Sequence, residues 1–143
     1  MIDYSKLKSA LVNLDRQWAN LQQIKDSEAI SELDVEAMQE SVIKRFDIAM
    51  EMTWKHLMKY LTEEVGINET PNGQKPILRL ADQNGLLDTR IGEWIEYVNA
   101  RNASSHDCSG EKAEQTLAVI PGFIADAKGL YERMSKEPWE QAV

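Results

Sequence analysis

The chain has 143 residues, 43% of them hydrophobic, which suits one domain with a core of its own. Sixteen basic against 24 acidic residues give a formal charge of −8. That balance excludes tight nonspecific binding of nucleic acid, which needs a broad basic surface, so any RNA contact must be local or helped by a basic partner. No apolar run approaches the roughly 18 residues of a membrane span, and the first fourteen residues lack a signal pattern. The single cysteine, Cys108, cannot form an internal disulfide, so a soluble protein of the reducing cytoplasm is expected.

The 7 glycines and 4 prolines are few, and helix formers abound. Leu7, Leu11, Leu14, Trp18 and Leu21 alternate steps of four and three, the seam of a first amphipathic helix. After the polar stretch Lys25 to Glu32, Ser31 or Asp34 is a candidate cap for a second. That second helix, from about Val35 to Val65, carries two apolar stripes: Val35, Met38, Val42, Phe46 and Ala49, and Ile43, Met50, Trp54, Met58, Leu61 and Val65. Two stripes imply burial on two sides, as in a central helix. Gly66 ends it, and a loop to Gly73 follows. Pro76 opens a short third helix closed by Gly85. Asp88 is a candidate cap for a fourth, with Ile91, Ile95 and Val98 inward and Trp94, Tyr97 and Arg101 on an adjacent face. Ser109 is a candidate cap for a fifth, where Ala113, Leu117, Ile120, Ile124, Ala127, Tyr131 and Met134 keep the period and Pro121 predicts a kink rather than an end. No stretch reads as a strand. The expectation is an all-α, up-and-down bundle of about five helices spanning residues 1–136, with 137–143 a frayed tail.

Arg101-Asn102-Ala103-Ser104-Ser105-His106 is the segment with the most chemistry. A histidine moves protons near neutral pH, and an arginine offers a fixed fork of donors that suits phosphate. Five residues place them about 140° apart on a straight helix, so convergence in one chain needs the helix to loosen near Ser104 and Ser105. Alternatively, a two-fold dimer brings two copies of the pair together. On spacing alone, the plainer assignment is favoured: His106 as a helix-end cap and Arg101 as an ion-pair partner. His56 is expected to be an ordinary surface or interface residue. Asp47, Glu51 and Lys55 form a ladder four residues apart, most simply a charged helix face. Two histidines and one cysteine lack zinc-ligand spacing, and no cofactor motif is present. The Gly-Ser loop and paired aspartates of a metal-dependent nucleotidyltransferase are absent.

Two longer patterns change the balance. Arg45-Phe46-Asp47-Ile48-Ala49-Met50-Glu51-Met52-Thr53-Trp54-Lys55 resembles the signature Arg-Phe-(Glu/Asp)-x3-Glu-x2-Trp-Lys, and Trp94 to His106 resembles Trp-x6-Arg-Asn-x3-His. Leu80 to Leu87 is similar to an Ala-x3-Gly-Leu-(Leu/Ile) segment of the same group. Together these resemble the small HEPN-domain proteins known as nucleotidyltransferase substrate-binding proteins, from roughly Leu7 to Met134.

The resemblance implies a homodimer and a minimal nucleotidyltransferase as partner. It also implies one of two activities: a metal-independent ribonuclease of the toxin-antitoxin type, or a noncatalytic subunit that presents substrate to the transferase. Mapped by motif, Arg101 and His106 are the nuclease pair, with Asn102 in support and Trp94, Tyr97 and Asp107 at the binding site. Toxin-type relatives often carry, two residues after the histidine, a tyrosine that the partner modifies. Here that position is Cys108, with Tyr97 a weaker alternative acceptor. Asp107 adds negative charge beside the site, which weakens RNA binding or holds His106 protonated.

Overall fold

Leucines recurring every three or four residues bury Leu7, Leu11, Leu14 and Leu21 along one side of helix α1, Ser5–Ile24. In the computed structural model, residues 1–106 and 110–140 are described, with Ser105 and His106 described by their backbone alone. Four more α-helices follow among the described residues: α2 (Glu32–Tyr60), α3 (Gln74–Gln83), α4 (Ile91–His106) and α5 (Gly110–Ser135). The described residues contain no strand, and no helix among them is long and apolar enough to cross a membrane.

Helix α2 is the hub, packing on α1, α3, α4 and α5. Its buried set, including Val42, Ile43, Phe46, Ala49, Met50, Trp54 and Leu57, wraps well round the helix, as the two stripes predict. Ser31 caps it, its Oγ accepting the Asp34 N–H at 3.1 Å. The α-helix stops at Tyr60, widens into a single π turn over Leu61–Val65, and ends at Gly66, whose φ of 86° needs a residue without a side chain. The core centres on Phe46 and Phe123, which meet edge to face at 5.1 Å.

Several expectations need correction. Asp88 does not cap α4, which begins at Ile91; its carboxylate instead pairs with Arg133 of α5 at 2.5 Å. His56 is not a surface residue. It is 6% exposed, its Nδ1 donates to the Met52 carbonyl at 2.7 Å, and its ring lies 5.9 Å from that of Tyr4. The cause is the N-terminal segment, whose Tyr4 folds across that face of α2. Residues 137–140 do not simply fray, and 141–143 lie outside the described residues. The Trp139 ring packs edge-on to Tyr131 at 5.4 Å, and the backbone N–H of Trp139 donates to Glu132 Oε2 at 2.8 Å. Lys8 and Lys128 lie over the same indole at 5.6 and 5.2 Å. Pro121 lies inside α5 and does not end it, as expected. The expected cap Ser109 lies outside the described residues.

Candidate functional site

The site begins where α4 crosses α2. Asp47 and Glu51 are one turn apart on α2, so their carboxylates share a face. Arg101, in the last turns of α4, comes down between them: Nε donates to Asp47 Oδ1, and Nη2 reaches Glu51 Oε2 at 3.3 Å. The Trp54 indole N–H donates to the same Glu51 oxygen at 3.0 Å, and Lys55 pairs with the other at 2.8 Å. The Lys55 hydrogen bond, more than any other contact, holds the Glu51 carboxyl below its usual range. Partial burial opposes this, while the Trp54 bond and the charges of Lys55 and Arg101 assist it. Two cations and two anions therefore balance within one cluster. Of the five N–H donors on a guanidinium, described residues engage two, leaving three to aim elsewhere from a side chain 22% exposed.

The expected ladder is thus a mount for Arg101. Asp47, Glu51 and Trp54 were not singled out as site residues from sequence. Their signal was the coincidence of two acids and an indole on one face, which a Lys at the next turn made look self-satisfied.

Helix α4 does not loosen at Ser104. The serine is buried, and its Oγ donates to the Arg101 carbonyl at 2.9 Å while the helical backbone continues through His106. A hydroxyl that returns to a carbonyl three residues back satisfies itself without breaking the turn. Arg101 and His106 therefore sit about 140° apart around one continuous helix. The His106 side chain, Asp107 and Cys108 lie outside the described residues. Asn102 is exposed on the outer ridge of α4, which also carries Glu93, Glu96 and Asn99.

Trp94 and Tyr97 are core side chains, 1% and 4% exposed, and both pack edge-on to Phe123. The Tyr97 hydroxyl donates to Asp126, whose other oxygen takes the Thr89 hydroxyl at 2.5 Å. Burial first, and Asp126 second, push the Tyr97 phenol far above its ordinary range. Gly122 makes this possible, since a Cβ there would stand 2.9 Å from the Tyr97 oxygen. The Trp94 ring borders a cavity of about 100 Å³ whose polar rim is Asp88, Thr89 and Asp126. No group of three His, Cys, Asp or Glu among the described residues is placed to hold a metal ion.

Comparison with known proteins bears on this arrangement. The profile of the family described as nucleotidyltransferase substrate binding protein like matches residues 2–136. A probable ribonuclease, HepT, of Haemophilus influenzae is 27% identical over 134 residues, covering 92% of this chain and 85% of its own. Among solved structures, one from Haemophilus influenzae, described as the substrate binding domain of a nucleotidyltransferase, superposes with a TM-score of 0.80 at 24% identity, over 93% of this chain and 99% of that one. A Thermus thermophilus protein superposes with a TM-score of 0.64, also at 24% identity, over 85% of this chain and 98% of its own.

Proposed function

Since the chain belongs to the nucleotidyltransferase substrate-binding-like family, we propose that it is the helical, homodimeric subunit of a two-component system, paired with a minimal nucleotidyltransferase. In this reading it binds RNA and cuts it without a metal, as the toxin half of the pair. Arg101 holds the phosphate and His106 moves protons. One imidazole takes the proton of the 2′-hydroxyl as its oxygen attacks phosphorus. A second imidazole gives a proton to the departing 5′-oxygen. The products are a cyclic 2′,3′-phosphate and a free 5′-hydroxyl. Two proton carriers are needed and each chain brings one His106, so two copies complete the site. The 140° between Arg101 and His106 on an unbroken α4 favours the same conclusion. Asn102 orients the substrate beside Arg101, Asp107 favours the protonated form of His106, and Trp94 and Tyr97 support α4 from beneath.

The observation that carries this reading is the Asp47–Arg101–Glu51 mount, which fixes a guanidinium while the described residues engage only two of its five N–H donors. A second reading draws on the same cluster. With two carboxylates on one arginine and Cys108 in place of a tyrosine, the subunit presents a nucleotide substrate to its partner and cuts nothing.

Incubating the dimer with total RNA in EDTA, beside His106→Ala, tells the two apart. Cleavage by the parent and none by the variant is the expected result. No cleavage by either, with nucleotide bound only when the partner is added, would establish the second reading.

A further inference from the structure

Of the signature residues on α2, Phe46 is in the core, and Asp47, Glu51, Trp54 and Lys55 all serve the Arg101 mount. Arg45 serves neither. It lines a groove of about 300 Å³ between α1 and α2, on the face of α2 next to the mount. Two ridges of identical spacing flank that groove. Lys6, Ser9 and Asn13 stand at i, i+3 and i+7 along α1, and Arg45, Ile48 and Met52 repeat the interval along α2. Ile48 and Met52 are half-buried and give it an apolar floor.

The charge of this groove departs from that of the molecule. The chain carries −8, and three other clefts are bordered by acids, among them Asp3 and Glu64 in one, Asp88 and Asp126 in the second, and Glu28 and Glu36 in the third. The Lys6–Arg45 groove is lined by two cations and no carboxylate. Arg101, Lys55, Lys128 and Arg133 are each neutralised by an aspartate or glutamate, whereas no ion pair among the described residues involves Lys6 or Arg45. Asp3 feels Lys6 only weakly; its carboxylate is held chiefly by the Ser5 N–H.

We propose that this groove is a second binding site, for a nucleotide unit: Arg45, with Asn13 across from it, holds the phosphate at one end, Lys6 adds positive charge at the other because α1 and α2 run antiparallel, Ser9 binds the sugar or base edge, and the base lies on Ile48 and Met52. The inference rests on the reading of the molecule as RNA-binding and supplies what the Arg101 mount lacks, since that cluster is internally neutral and attracts phosphate only at short range. The two sites draw on the same two turns of α2, Arg45, Ile48 and Met52 for the groove and Asp47 and Glu51 for the mount. The same chemistry fits a free mononucleotide or one unit of an RNA strand.

The test uses the full-length dimer and two probes: uridine 5′-monophosphate, and a short 2′-O-methyl oligouridylate, which attack by a 2′-hydroxyl cannot cut. Both lysine and arginine are exposed, so Lys6→Gln/Arg45→Gln keeps the fold, as circular dichroism will show. The double variant is expected to bind the oligonucleotide about tenfold more weakly, with the salt dependence of log K reduced in magnitude by about 1. Weakening of both probes identifies the mononucleotide as sufficient; weakening of the strand alone makes the groove part of a strand path. Unchanged affinity and salt dependence for both probes, or no binding of either by the parent, overturns the proposal. The outcome is separable from that of the cleavage experiment. A strand held through Lys6 and Arg45 but never cut in its natural form removes the nuclease and leaves the groove. Natural RNA that is cut while the variant binds like the parent does the reverse.

Discussion

Glu51 takes a proton donor from each of three side chains, Trp54, Lys55 and Arg101, and this residue carries the most direct pH signature in the molecule. Its folded pKa is lowered from an ordinary value of 4.5. A lowered acid stabilises the fold fully above its unfolded pKa and loses that contribution as the pH falls through the folded value. Glu51→Gln should therefore cost up to about 1 kcal/mol at neutral pH, as for a partly exposed pair, and nothing in strong acid. Denaturant melts at stepped pH check this, the two stability curves converging as the pH falls below 4.5 and through the lowered folded value. A neighbouring contact makes a sharper prediction of opposite kind. Gly122→Ala puts a methyl 2.9 Å from a Tyr97 oxygen that Asp126 holds in place. In the parent background the change should destabilise by about 1–3 kcal/mol despite better helix propensity. With Tyr97→Phe, which removes the oxygen, the same alanine should be neutral or stabilising. Equal effects of the alanine in both backgrounds, measured by thermal melts, would rule out the contact.

At the scale of elements, α2 explains both what the sequence discloses and what it conceals. Its stripes are periodic because burial on a helix is periodic, so helix number and order are legible without coordinates. So are α1 and α5, where the leucine and alanine–isoleucine intervals repeat without interruption. What escapes is anything decided by a second element. Asp88 has the residue type of a cap, yet Arg133 of α5 claims it. His56 looks solvent-facing until Tyr4 folds over it, and Asp47 and Glu51 look self-paired until α4 arrives. Two predictions belong here. Ser31→Ala should cost about 1 kcal/mol by removing the oxygen that accepts the Asp34 N–H, seen as a lower urea midpoint with unchanged slope. Trp139→Ala should cost about 1 kcal/mol and a few degrees of Tm, because the indole covers Tyr131 and draws in Lys8 and Lys128. An unaltered Tm would mean that the C-terminal segment does not stay docked in solution.

For the whole molecule, the governing fact is its net charge of −8. A net charge of that sign repels a polyanion at long range, so the proposed RNA recognition rests on local donors fixed in advance. The cost of fixing Arg101 is two carboxylates beside it; the return is orientation. This account makes Asp47 and Glu51 positioning residues that act through Arg101 and touch no substrate. The measurement that bears on it most directly is a double-mutant cycle on the rate of RNA cleavage in EDTA, using Glu51→Gln, Arg101→Gln and the two together. The account predicts a loss of about tenfold from Glu51→Gln in the parent, and no further loss from it once Arg101 is replaced. Independent, multiplying losses, or full activity in Glu51→Gln, would contradict it.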